Sequence, residues 1–188
     1  NPVIIGHELC GEIVKVGAAL TGEWKEGQKA VVQPALKTPD GHDPGYSFRW
    51  IGGASTYIVV PPIVLEKGCL VPYEGDNFFS GSLVESLGCV LRGYKGFYHT
   101  DYTNYVRTDG AKKGGKLAIL GGAGPMGIGA VELALEYAGV SQVVVTDLSA
   151  ERLAFAAKQY SPETAKDMGV DLVYLNTSGM ADPTEELI

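Results

Sequence analysis

The chain has 188 residues, enough for one large domain or two small ones. Charged residues make up 20% and hydrophobic residues 45%, the balance of an ordinary globular protein, and the net charge of −7 argues against a general nucleic-acid surface, which needs clustered Lys and Arg. No uninterrupted apolar stretch is long enough to span a bilayer, no signal peptide is visible, and Cys10, Cys69 and Cys89 are too scattered for a disulfide framework or a Cys-x-x-Cys knuckle, so a reducing cytoplasm is expected.

The chain opens at Asn1 without a methionine, and Pro2-Val3-Ile4-Ile5 already reads as mid-domain structure, so further residues are expected upstream. The next segments read as β-rich. Gly6-His7-Glu8 heads a strand expected from Glu8 to Val16, carrying the apolar run Ile13-Val14-Lys15-Val16 and ended by Gly17. Glu23 to Gln28 reads as a turn and Lys29 to Gln33 as a strand. Residues 34–53, with Pro39-Asp40-Gly41 and Pro44-Gly45-Tyr46, read as a loop. Ser55 to Val60 alternates and reads as a strand ended by Pro61-Pro62. Short strands at this spacing suggest a small barrel.

The character changes near Asp76. Phe78, Leu83, Leu87, Val90 and Leu91 recur at helical spacing, which predicts a helix over 79–94. A polar segment, residues 98–115, leads to the apolar run Lys116-Leu117-Ala118-Ile119-Leu120. Straight after it comes Gly122-Ala123-Gly124-Pro125-Met126-Gly127, then a helical stretch from Met126 to Gly139. A second apolar run, Val143-Val144-Val145-Thr146, ends at Asp147, 20 residues after Gly127. Strand, glycine turn, helix, strand and acid make the dinucleotide-binding fingerprint. Gly122 allows the tight turn, Gly124 lets backbone approach a pyrophosphate, and Gly127 lets the helix pack on the sheet. Pro125 and Met126 open the helix, whose N-terminus offers N–H groups to phosphates. The Asp147 carboxylate can accept from a ribose 2′-OH and would repel a 2′-phosphate, which favours NAD, with NADP not excluded. Ser149 reads as the cap of a helix running to Tyr160, Ser161-Pro162-Glu163 as the start of a shorter one, and Val170 to Leu175 as a third strand. The order β-α-β-α-β is one mononucleotide-binding half of a doubly wound sheet.

Gly6-His7-Glu8 is the second informative site, because imidazole is a good zinc ligand and a neighbouring carboxylate can tune or temporarily replace a ligand. Followed by Leu9-Cys10-Gly11-Glu12-Ile13-Val14-Lys15-Val16-Gly17, it resembles the zinc-binding signature of the medium-chain dehydrogenase/reductase superfamily, the zinc alcohol and polyol dehydrogenases. Gly27-Gln28-Lys29-Ala30-Val31-Val32, Gly52-Gly53-Ala54-Ser55-Thr56-Tyr57 and Leu83-Val84-Glu85-Ser86-Leu87-Gly88 are similar to further segments of that family, in the same order. Pro44-Gly45-Tyr46-Ser47-Phe48, Phe97-Tyr98-His99-Thr100 and the Tyr160-to-Tyr174 stretch look like the sorbose-1-phosphate reductase group, which is associated with NADPH.

The resemblance implies an α/β chain: part of a GroES-like β-barrel over residues 1–88, then the first half of a Rossmann-type domain over 89–188. It implies His7 and Glu85 as zinc ligands and catalytic residues, with Glu8 a ligand or a neighbour of one. It implies zinc and a nicotinamide cofactor, a sugar or polyol substrate (a sugar phosphate included), no nucleic-acid or membrane partner, and a homo-oligomer when complete. The chain departs from the family in carrying no upstream cysteine ligand and no four-cysteine lobe, and in having Ser86 where proline is usual. The rival readings are a non-catalytic dinucleotide-binding or structural fragment and a zinc-independent quinone reductase of the same superfamily. Cys10 and Cys89 read as packed small residues, Cys69 as a loop thiol, His42, Arg49 and Arg92 as solvated, and His99 as a hydrogen-bonding residue.

Overall fold

A computed structural model describes residues 2–182 and 184, and the chain divides into two units, Asn1–Ser86 and Leu87–Ile188. In the first unit, strands β1 (Cys10–Glu12), β2 (Lys29–Val32) and β3 (Leu70–Pro72) form an antiparallel sheet in the order β1-β2-β3. Cys10 pairs with Val31 and Val31 with Val71. β1 is shorter than Glu8 to Val16. Its backbone pairing ends where Ile13 N–H donates to Gln28 and Gly27 N–H donates back to Ile13, and beyond that point Val14 is exposed.

Residues 34–53 form no strand, but they supply core. Leu36 and Ile51 are fully buried beside Leu9, Val32, Val64 and Cys69, and each such side chain stabilises the fold by about 1.5–3 kcal/mol. Cys69 is a free thiol outside any helix or strand, as expected, but it is buried in this core. The expected strand from Ser55 to Val60 is absent. Ile58 and Val60 pack on the core while Tyr57 and Val59 point outward, as the alternation demanded. The backbone has no ladder partner among the described residues, and Ser55 Oγ donates to the Tyr57 carbonyl at 2.7 Å, bending the segment. Helix α1 (Pro62–Glu66) follows, with Pro62 in its first turn and Val64 buried.

The apolar stretch near Asp76 makes two helices rather than one, α2 (Phe78–Ser82) and α3 (Val84–Gly96). Asn77 caps α2 by accepting from Ser80 N–H at 2.8 Å, and Leu83 N–H donates to Ser80, a tightened last turn that breaks the run at Leu83. In the second unit α3 lies on α4 (Pro125–Glu136). Tyr94 is buried and its hydroxyl donates to the Ala130 carbonyl at 2.7 Å, while a Cβ on Gly129 would crowd Leu87. Cys89 is exposed rather than packed, since it lies two residues from Leu87 and so on the opposite face of the helix.

Residues 98–115, read only as polar, contain an antiparallel pair, β4 (Tyr98–Asp101) and β5 (Val106–Asp109). Next come β6 (Lys116–Ile119), α4, β7 (Gln142–Asp147), α5 (Ala150–Gln159), α6 (Pro162–Asp167) and β8 (Asp171–Asn176). The three strands form a parallel sheet, β6-β7-β8, with Leu117 beside Val143 and Val143 beside Leu172. Val143 and Val145 of β7 and Val131 of α4 are wholly buried in the core of this unit. The fold is α/β: a partial GroES-like portion with an antiparallel sheet, then a partial Rossmann-type parallel sheet.

Candidate metal centre and cofactor loop

His7 and Glu8 leave a knot of backbone just before β1. Gly6 N–H donates to Gly45 at 3.0 Å, Gly53 N–H to Gly6 at 2.7 Å and Ala54 N–H to Ile5 at 2.9 Å. These approaches depend on missing side chains. A Cβ on Gly45, whose φ is +75°, would overlap Gly6 and His7, and one on Gly52 would overlap Ile4 and Ile5. The turn at Asp43, whose carbonyl accepts from Tyr46, Ser47 and Phe48, sets the Tyr46 ring parallel to the His7 imidazole, 4.3 Å away at 21°.

The third residue arrives on α3. α2 is pressed against β1, where a Cβ on Gly81 would overlap Cys10, and Lys29 Nζ on β2 holds the preceding turn by donating to the carbonyls of Gly75 (2.8 Å) and Asp76 (2.9 Å). This brings the first turn of α3 to His7. Glu85 Oε2 lies 3.7 Å from His7 Nε2, and their side chains are 13% and 31% exposed. Ser86, the next residue, donates its hydroxyl to Glu8 Oε1. One ligand atom from each of His7, Glu8 and Glu85 lies within 4.8 Å of the others. Two carboxylates this close to an imidazole nitrogen favour a cation between them, and the N,O,O donor set suits Zn²⁺. Cys10 is not a member. Burial pushes its thiol pKa up, and its sulfur faces Gly81.

The glycine loop runs from the end of β6 into α4. The left-handed residue of the turn is Gly121, with φ +63°, rather than Gly122. Gly122 is required for another reason: a Cβ there would come within 2.8 Å of Ile119 and Val145. A Cβ on Gly127 would overlap the backbone of Gly122, so α4 packs directly on the loop. Beside Gly124, by contrast, the space is open for at least 4 Å. α5 and α6 are each capped by a serine, Ser149 accepting from Arg152 N–H and Ser161 from Thr164 N–H. α4 begins Gly124-Pro125-Met126, and its N-cap, Gly124, supplies no side-chain cap to the first turn. Asp147 closes the loop, since its carboxylate accepts from Ser149 N–H at 2.9 Å and Ala123 N–H at 3.3 Å. The Ser149 bond, foremost, holds its pKa below the ordinary 3.8. Each of these oxygens has a second lone pair left for a ribose hydroxyl.

Two neighbours of the cluster escaped the reading of the sequence. Tyr46 stood in the Pro44-to-Phe48 segment that carries part of the family resemblance, but nothing in the sequence tied it to His7. Ser86 gave a signal, its departure from proline beside Glu85. His42 is exposed, and His99 Nδ1 meets the Gly110 carbonyl at 3.3 Å.

Comparison with known proteins follows the same division. Residues 1–68 match the alcohol dehydrogenase GroES-like domain family. YggP of Escherichia coli K12 is 45% identical over 100% of the chain, and the mannitol-1-phosphate 5-dehydrogenase of Aliivibrio fischeri is 41% identical over 99% of it. The L-sorbose 1-phosphate reductase of Klebsiella pneumoniae is 44% identical over 87% of the chain. The chain spans 44%, 44% and 40% of these three relatives, less than half of each. Among solved structures, an NADH complex of the alcohol dehydrogenase rspB from Escherichia coli CFT073 shares the fold with a TM-score of 0.64, covering 99% of this chain and 50% of that one at 21% identity. The cobalt- and zinc-bound alcohol dehydrogenase of Pyrobaculum aerophilum does so with a TM-score of 0.61, covering 92% of this chain and 48% of that one at 20% identity. The sequence order of the motifs, the two folds and these relatives agree: the chain belongs to the medium-chain dehydrogenase/reductase superfamily.

Proposed function

We propose that this chain carries the metal-binding and first cofactor-binding parts of a zinc-dependent oxidoreductase that transfers hydride between NAD and a sugar or polyol, a sugar phosphate foremost. The observation that carries the reading is the convergence of His7, Glu8 and Glu85 within 4.8 Å. In this reading residues 1–88 hold the metal and residues 89–188 begin the dinucleotide domain. A zinc ion there would supply Lewis acidity toward an alcohol or carbonyl oxygen, and the nicotinamide would carry the hydride.

The remaining work falls to the protein's own groups. His7 offers a nitrogen whose ring plane Tyr46 holds. Glu85 offers an oxygen from a helical turn, and Glu8 a second one from the segment entering β1. Gly122, Gly124, Pro125, Met126 and Gly127 form the loop against which a pyrophosphate would lie. Asp147 would accept from a ribose hydroxyl. The phosphorylated substrate class is supported by the names of two relatives more than 40% identical to the chain, a mannitol-1-phosphate dehydrogenase and a sorbose 1-phosphate reductase. A zinc-independent quinone reductase has no use for the three-residue cluster. In the full-length protein His7→Ala should remove bound zinc and lower NAD-linked turnover at least about a hundredfold, the scale of losing an electrostatic group from a reaction centre. Parental turnover and zinc content in that variant would refute the metal assignment.

A further inference from the structure

We infer that Ser86 is a positioning residue whose hydroxyl holds Glu8 as the second carboxylate arm of the cation site. The inference rests on the metal reading above and adds to it a residue outside the ligand set. Its ground is the split between adjacent positions of one helical turn. Glu85 and Ser86 lie about 100° apart around α3, Glu85 toward His7 and Ser86 toward Glu8.

Glu8 needs such a partner for two reasons. It is exposed, and an unrestrained glutamate loses up to about 2 kcal/mol of rotamer freedom when it is fixed. It also stands near a second carboxylate in the same cluster, and like charges repel. A hydroxyl donating to the carboxylate opposes both effects, because hydrogen bonds to charged acceptors are the stronger kind. It leaves the other Glu8 oxygen available to a cation. A residue with no side-chain donor at this position could not make this contact, so the arrangement depends on the serine of this chain.

The test is Zn²⁺ affinity measured by competition with a chromogenic chelator, on the full-length protein, its Ser86→Ala, Ser86→Thr, Glu8→Ala and His7→Ala variants and the Glu8→Ala/Ser86→Ala double variant, without any turnover assay. Ser86→Ala should bind Zn²⁺ about tenfold more weakly, the scale of one hydrogen bond to a charged group. Ser86→Thr should restore binding to within about twofold, since it keeps the donor. In the Glu8→Ala background, Ser86→Ala should change nothing further. Ser86→Ala at parental affinity, with His7→Ala still abolishing binding, would overturn the inference and leave the metal reading intact. An equal loss in both backgrounds would show that Ser86 merely supports the helix, and would also overturn it. His7→Ala at parental affinity would instead remove the metal reading itself.

Discussion

Asp147 shows how much one side chain can do at the end of a strand. It closes the turn into α5 through Ser149 and steadies the glycine loop through Ala123, while its half-buried oxygens each keep a lone pair. These N–H donors, Ser149 foremost, depress its pKa below 3.8, so the carboxylate stays ionised at neutral pH and is lost only as pH falls through that lowered value. Asp147→Asn should therefore weaken NAD binding about tenfold, the cost of replacing a charged acceptor with a neutral one, and should narrow the preference over NADP. Quenching of NADH and NADPH fluorescence on titration measures both. Unchanged affinity for NADH would remove Asp147 from the cofactor site. The acid was legible from its spacing after Gly127. Its grip on the loop was not, because nothing in the sequence says that Ala123 N–H lies across from it.

Among the elements, α4 separates two uses of glycine that a motif alone cannot separate. Gly127 has the Gly122 backbone against it, and Gly124 has open space. Gly127→Ala should cost about 1–3 kcal/mol, the usual range for overpacking, and should lower the thermal midpoint. Gly124→Ala should leave that midpoint unchanged, since its φ of −89° suits any residue, yet it should impair NAD binding by filling the approach to the helix N-terminus. Calorimetry with and without NAD distinguishes the two. Equal destabilisation by both substitutions would contradict this packing. Ser149 illustrates the opposite case, a helix start read from its cap residue, because the bond that matters is three residues away, and Pro162 marked the start of α6, where Ser161 also caps. The expected strand over 55–60 failed because alternation reports which side chains are buried, and a strand also needs a neighbour's backbone. The hairpin over 98–109 was missed for the complementary reason: its residues are mostly exposed, so its pairing leaves no hydrophobic pattern.

For the molecule as a whole, the second unit carries an alkaline weakness. Tyr94 and Tyr174 are held in the core with their hydroxyls on carbonyl groups, and burial raises each pKa from 10 to about 12. Tyr160, half-buried and beside Glu132, rises to about 12 as well. A phenol whose folded pKa lies above its unfolded value contributes stability that is complete below pH 10 and disappears as pH climbs through 12. Resistance of the second unit to urea should accordingly weaken across that window, and tyrosinate absorbance should rise later in the native protein than in the unfolded one. Coincident native and unfolded titrations would contradict the burial of these three phenols.

What the sequence determined by itself was local: the β-α-β rhythm, the caps, the glycine loop with its acid, and the residue types able to hold a metal. Each is encoded within about one turn, one strand or one short spacing, where chain connectivity fixes the neighbours. The tertiary structure alone decided which distant residues meet. Glu85 reaches His7 across most of the first unit because Gly81 seats α2 on Cys10. Tyr46 stacks on His7 because Gly45 lets two backbones touch, and Ser86 finds Glu8 because it follows Glu85 on the same turn. Such meetings depend on close packing between segments far apart in the chain, and packing is a property of the folded whole.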